Sequence, residues 1–317
     1  MTKPISIRPQ PMVVTHGGSS SDPDTERDGC EAGARAGLRA LQGADALAAV
    51  VAAVSVLEAD GRYNAGRGAL LGMDGKTISC DASVMDSRGK LGAVANLLEV
   101  MHPVQVARRV ADTPHHLIVG EGALQFAKKI GLHHTFEATQ KAIDQYKEEV
   151  QAIERAPDQS SSDAQDTDSD DGKAAIKRFW NFSGSWQEAR DRSGHCTVGA
   201  VARDADGHFA AAVSTGGSMP ALLGRVADSP LIGCGFYAGR AGAIACTGIG
   251  EHILRHNLAL RIYLWIEGGM ALREAMERGV ELLPEGVEIG LIGITRDEAE
   301  VVARKPMAHA LAGGLAR

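Results

Sequence analysis

The stretch GHCTVGAVARDADGHFAAAVSTGGSMPALLGRVADSPLIGCGFYAGRAGAIACTGIG, residues 194–250, decides how this chain is read. It breaks into short runs of small and β-branched residues at 197–202, 208–214 and 241–246, separated by Gly, Asp and Pro. Such runs read as strands, and 287–295 is a fourth of the same kind. Between the last two, residues 251–268 and 271–283 read as helices. In the first of these, Leu254, Leu258, Ile262, Trp265 and Ile266 recur at helical spacing. Thr197 opens the first strand directly after His195-Cys196. The small residues around it leave room for a substrate and for a tight turn.

Upstream of that stretch, residues 156–173 are rich in Ser and Asp and almost free of apolar side chains. Such a segment cannot bury enough surface to offset its ordering entropy, so it reads as a disordered linker and its charge run as a solvated spacer. Further upstream, residues 12–15 read as a strand that runs into the polar turn His16-Gly17-Gly18. Residues 24–41 and 45–59 read as helices, the second rich in Ala, Val and Leu and therefore buried. GRYNAGRG at 61–68 is a Gly-rich loop. Residues 79–85 and 91–100 read as strands, and 103–111 and 120–130 as helices; the periodic signal weakens from His134. Strands cluster, then helices, then a last strand pair. That order suits two antiparallel sheets covered by helices, an α+β fold, better than a βαβ repeat.

Charge and cysteines narrow the classes. The net charge is −7, but residues 158–171 hold six Asp and no Lys or Arg, and without them the remainder stands at −1. A nearly neutral body lacks the basic footprint of a nucleic-acid binder. Cys30, Cys80, Cys196, Cys234 and Cys246 are scattered, with no CxxC pair, which points to buried thiols in a reducing compartment. The first residues carry no apolar signal-peptide core, and the longest apolar run, 46–57, is too short to span a bilayer. The expectation is a soluble cytoplasmic protein without membrane or nucleic-acid partners.

Four blocks inside the quoted stretch go further: CTVGAVA at 196–202, STGG at 214–217, GRVADSP at 224–230 and CTGIGE at 246–251. HGG at 16–18, LEADGRYNAGRG at 57–68 and CDASVMD at 80–86 add to them in the N-terminal half. Together they resemble the isoaspartyl peptidase/L-asparaginase family, the plant-type, threonine-dependent asparaginases among the N-terminal-nucleophile hydrolases. The resemblance covers almost all of the chain outside the linker. It implies one domain over residues 1–317, built as a four-layer αββα sandwich. It also implies that the chain cuts itself between Cys196 and Thr197 into an α chain, 1–196, and a β chain, 197–317.

The chemistry agrees with that implication. A threonine hydroxyl is a weak nucleophile that needs a base. Once Thr197 is an N-terminus, its own α-amine, titrating at roughly 7.7–8.0 when unperturbed, can serve. By resemblance, Thr215 orients Thr197, Arg225 grips the substrate α-carboxylate with its guanidinium fork, and Asp228 meets the α-ammonium. Thr247 and Gly248 supply the oxyanion hole, and Asn64 supports the nucleophile and the cleavage geometry. The implied substrates are L-asparagine and β-aspartyl dipeptides. No cofactor is required; the 57–68 loop resembles a segment that holds a structural sodium ion. The implied assembly is a homodimer of αβ units.

The competing readings are a glycosylasparaginase-like amidase, whose nucleophile block typically reads D-T-I-G, and an uncleaved non-catalytic family member. CTVG, STGG and the intact Thr197, Thr215, Arg225, Asp228 and Thr247 argue against them. His252 and His256 share a helix face at zinc-compatible spacing, but no third ligand is near in a matching motif. Three departures from the family pattern carry expectations. Cys196 stands where Gly is usual, which predicts slower autocleavage. Ser19-Ser20-Ser21 follows the HGG turn in place of Ala-Gly. Arg240 is read as facing the leaving-group side, which predicts a preference for particular β-aspartyl dipeptides over asparagine.

Overall fold

The computed structural model describes residues 10–155, 194–195, 197–219 and 221–314. Cys196 and the linker read at 156–173 lie outside the described residues. The N-terminal half contains β1 (Met12–His16), α1 (Pro23–Ala40), α2 (Ala46–Asp60), β2 (Ser79–Asp86), β3 (Leu91–Leu98), α3 (Pro103–Val110), β4 (Leu117–Val119), α4 (Gly120–Lys129) and α5 (Gln140–Arg155). The C-terminal half contains β5 (Gly194–His195), β6 (Val198–Arg203), β7 (Phe209–Thr215), β8 (Ser218–Met219), β9 (Phe236–Gly239) and β10 (Gly242–Gly248). It continues through α6 (Gly250–His256), α7 (Leu258–Glu267), α8 (Leu272–Glu281), β11 (Ile289–Ile294), β12 (Ala299–Ala303) and β13 (His309–Gly313).

The first two helices start where side chains can take their unpaired amides. Asp22 accepts from the Asp24 N–H ahead of Pro23 in α1, and Asp45 accepts from the Ala48 N–H in α2. α2 ends at Gly61, whose φ of 83° closes the helix in the left-handed conformation that glycine favours. The two helices pack closely because Gly33 and Gly37 of α1 face α2. A Cβ at Gly37 would stand 2.9 Å from the Ala49 carbonyl oxygen.

Seven strands form one sheet in the order β13-β1-β6-β7-β2-β3-β4, antiparallel except for the β3–β4 edge pair. Four form a second, antiparallel sheet, β12-β11-β10-β9. Alternation along the strands assigns their side chains to three buried clusters. Val13, Ala200, Ala202, Ala210 and Ala212 join α1–α4 in one. Val14, Val201, Ala211 and Val213 join Ala243, Ala245, Ile292 and Ile294 of the second sheet in another. Ile244, Cys246 and Leu291 join α6–α8 in the third. Where the two sheets meet, alanines alternate with Val and Ile, and Phe209, Phe236 and Met307 fill the remaining space.

Three expectations need correction. Residues 251–268 are two helices, because Asn257 adopts φ 46°, ψ 51° and breaks the run. Leu254, counted into one apolar face, therefore belongs to α6 and is exposed, whereas Leu258 and Ile262 of α7 are buried. The three-residue edge strand β4 is marked by no pattern, and α5 falls in the stretch read as weakly periodic, although Ile143, Tyr146 and Val150 recur at helical spacing. α5 holds its place by packing Ile143 and Tyr146 on a small cluster of Leu71, Ile78 and Cys80. Arg240 sits in the β9–β10 turn, at the opposite end of β10 from Thr247 and Gly248. At about 3.3 Å per residue that end is about 20 Å away, so Arg240 does not face the site.

Candidate active site

Antiparallel pairing brings the start of β6 beside the end of β7, with Val198 opposite Ser214. The end of β10 meets them from the second sheet. Thr197, Thr215, Arg225, Asp228 and Gly248 thus line one small cavity, together with Gly217, Ser229 and Gly250.

Thr197 is almost fully buried. Its backbone N–H donates to Thr247 Oγ1 at 3.2 Å, and the Ser19 N–H donates to the same oxygen at 3.1 Å. With two N–H groups held, the Thr247 hydroxyl still has its own proton to donate. The Ser229 hydroxyl lies within reach of Thr197 Oγ1, at 3.4 Å. Ser229 is itself fixed by a 2.6 Å bond from Ser83 Oγ to its carbonyl. Thr215 Oγ1 accepts from the Gly217 N–H at 3.1 Å, which closes the turn after β7.

Asn64 braces that turn from behind. Its Nδ2 donates to the Gly217 carbonyl at 2.7 Å, its Oδ1 accepts from the Leu70 N–H at 3.1 Å, and its carbonyl accepts from the Gly216 N–H at 2.9 Å. Gly216 has no space for a side chain: a Cβ there runs into Asn64 Oδ1 and Ala69 Cβ. Gly216→Ala is therefore expected to cost about 1–3 kcal/mol by overpacking. A urea titration showing no change in midpoint would contradict the tight fit.

The charged end of the cavity is built from Arg225 and Asp228, with Asp81 close enough to interact electrostatically with both. Arg225 Nε and Nη2 both donate to Glu251 Oε1, at 3.0 and 2.8 Å. The Glu251 side chain is 44% exposed, so this is a weakly held pair that a substrate carboxylate can displace. Asp228 is buried, and its Oδ2 has no hydrogen-bond partner among the described residues. Burial raises its carboxyl to about 7, with Arg225 opposing. Burial likewise raises Asp81 to about 6, against an N–H from Asn96 and the charge of Arg225. Gly250 permits this assembly, since a Cβ there would lie 2.6 Å from Asp228 Oδ1 and 3.2 Å from Arg225 Nη2.

His16 stands across β1–β6 from Gly199, fully enclosed. Burial pushes its imidazole down to about 3, His309 adds to this, and the Thr197 backbone opposes it. It is a neutral group at the foot of the nucleophile. Ser229, Asp81 and Ser19 are the site residues that sequence reasoning missed. Each lies inside or beside a quoted block, so position was available, but no spacing rule singles them out.

Among the described residues no group of three His, Cys, Asp or Glu could hold a metal ion. In the 57–68 loop, Gly68 lies against the carbonyls of Gly61 and Tyr63, and Gly66 against those of Glu58 and Met101. These contacts leave no room for a side chain at either glycine.

A family model described as asparaginase matches residues 9–312. The plant-type L-asparaginase of Pyrobaculum calidifontis is 37% identical over 294 residues, covering 89% of each chain. The isoaspartyl peptidase of Salmonella typhimurium is 41% identical over 268 residues, covering 82% of this chain and 78% of that one. The isoaspartyl peptidase/L-asparaginase of Danio rerio is 35% identical over 292 residues, covering 90% and 84%.

Proposed function

Since the chain belongs to the asparaginase family, we propose that it is a self-cleaving amidohydrolase that acts on β-linked L-aspartyl groups, with Thr197 as nucleophile. The observation that carries this reading is the Thr197 N–H held by Thr247 Oγ1, with Thr197 Oγ1 facing the small charged cavity. Attack of that hydroxyl on the Cys196 carbonyl forms an ester and frees the Thr197 nitrogen as an amine. Water then splits the ester and leaves chains of residues 1–196 and 197–317. The three stacked cores support a four-layer αββα arrangement of a single domain.

In the mature site the substrate α-carboxylate takes Arg225 from Glu251, and its α-ammonium meets Asp228. The β-carbonyl is then presented to Thr197 Oγ1. The Thr197 amine accepts the hydroxyl proton as Oγ1 attacks, and returns it to the departing nitrogen. The Thr247 hydroxyl and the Gly248 N–H stabilise the oxyanion. Ammonia or an amino acid leaves, and water hydrolyses the acyl-enzyme to release L-aspartate. Thr215 and Asn64 act through the turn they hold. A structural sodium ion at the carbonyls of the 57–68 loop, a dimer of αβ units and a cytoplasmic location complete the proposal. The four described cysteines support the last, being free and buried. Among the described residues no helix is long and apolar enough to cross a membrane.

Intact mass spectrometry with an amidase assay tests the reading. Two chains meeting at Cys196–Thr197, and release of aspartate from L-asparagine and β-aspartyl dipeptides, are expected. A chain that stays whole through prolonged incubation would falsify it. Activity confined to N-glycosylated asparagine would favour the glycosylasparaginase alternative. Ser229→Ala should lower kcat on L-asparagine about tenfold with a smaller change in KM, since it removes one hydrogen bond to the nucleophile. A rise in KM alone would assign Ser229 to substrate binding.

A further inference from the structure

A second, larger cavity, of about 210 Å3, opens beside the first. It is lined by Gly17 and Ser20 of the loop after β1, by Arg62 and Asn64, and by Lys141 and Gln145 of α5, among others. Two links join it to the nucleophile. Asn64 lines this cavity and Gly217 lines the other, so their 2.7 Å hydrogen bond forms part of the wall between them. Thr247 Oγ1 accepts from both Thr197 and Ser19, so the loop carrying Gly17 and Ser20 lies on the nitrogen side of the nucleophile.

Chemistry gives that side its meaning. The Thr197 amine that takes the hydroxyl proton must hand it to the departing nitrogen, which therefore stands next to Thr197 N. Whatever that nitrogen carries extends past Ser19 toward Ser20 and the second cavity. Ammonia carries nothing there; a released amino acid carries an α-carboxylate and a side chain.

The cavity holds a cation placed to meet such a carboxylate. Lys141 Nζ donates to the Arg62 carbonyl at 2.7 Å and to Glu26 Oε1 at 3.4 Å, and its side chain is 60% exposed. An ammonium has three donors, and these bonds use two. The Arg62 guanidinium is committed instead, to Asp60 and Asp28 at 2.6–3.0 Å. On the amidohydrolase reading above, we propose that this cavity is the leaving-group subsite and that Lys141 binds the α-carboxylate of the amino acid released from a β-aspartyl dipeptide. Helix α5 then serves as the wall that distinguishes a dipeptide from asparagine.

The test uses the purified, self-cleaved protein on β-aspartyl-leucine, its C-terminal amide and L-asparagine. Lys141→Ala should lower the ratio of kcat/KM for β-aspartyl-leucine over L-asparagine about tenfold, through KM, as loss of one charge-assisted bond implies. The amide lacks the carboxylate, so its ratio should be low already and unmoved by the substitution. Lys141→Arg should keep most of the preference. A ratio that Lys141→Ala leaves in place, whether both substrates suffer or neither does, overturns the subsite. Parent protein that hydrolyses neither β-aspartyl-leucine nor L-asparagine overturns the amidohydrolase reading and the subsite with it, before any variant is compared.

Discussion

Thr197→Ala is expected to leave the chain whole at about its full 33.2 kDa and without measurable hydrolysis of L-asparagine. The substitution removes one hydroxyl and one methyl from a buried position at the start of β6, and the backbone N–H that Thr247 holds stays in place. Fold and cavity should survive, which a melting curve close to that of the parent would show. Both chemical steps need the lost oxygen: attack on the Cys196 carbonyl, and attack on the substrate. Removing a nucleophile of this kind lowers kcat by about 10⁴-fold or more. Thr197→Ser separates the hydroxyl from its methyl. Serine keeps the nucleophile but loses the β-branch that restricts χ1, so it should cleave and turn over more slowly, with both rates above those of Thr197→Ala. Splitting of the Thr197→Ala chain at the same bond would remove Thr197 from the reading.

Much of this site is legible in the sequence because it is carried by local blocks. CTVGAVA, STGG and CTGIGE each end or begin a strand, and the runs at 12–15, 79–85, 91–100, 197–202, 208–214, 241–246 and 287–295 match strands to within about two residues, whereas β4, β9, β12 and β13 lie outside those runs. What the sequence withholds is what depends on packing. The break at Asn257 is a single residue in a left-handed conformation, inside a run whose hydrophobic spacing continues past it. α5 is amphipathic, but the patch it packs on, Leu71, Ile78 and Cys80, lies far from it in the chain. Arg240 shows the same limit from the other side. It is near the site in sequence, in a stretch otherwise rich in site residues, yet a β-strand carries it to the far end of the sheet. Ser229 is adjacent to Asp228 and reaches Thr197 only because the segment 228–230 crosses from one strand system to the other, which no spacing rule foretells.

Asp228→Asn should make the protein more stable at pH 8 and about 10²–10³-fold less active, by the usual cost of losing one member of a buried charge pair. In the free protein Asp228 is 3% exposed, one carboxylate oxygen is unpartnered among the described residues, and two of the nearby Arg225 nitrogens are turned to Glu251. Burial raises its carboxyl from 3.8 to about 7. Between those values the folded chain keeps a proton that the unfolded chain has released, so stability falls as pH climbs from about 4 to about 7, and the full cost stands above that. Asparagine has no charge to bury. Its melting temperature should therefore match the parent's at about pH 4 and below and exceed it at pH 8, by an amount corresponding to about 2–4 kcal/mol. The same uncompensated charge is what the substrate ammonium relieves on binding. Saturating L-aspartate should accordingly stabilise the parent at pH 8 and leave the variant unmoved. A variant that melts below the parent at pH 8 would mean that Asp228 is already compensated in the free protein, and its role as the ammonium partner would lose its physical basis.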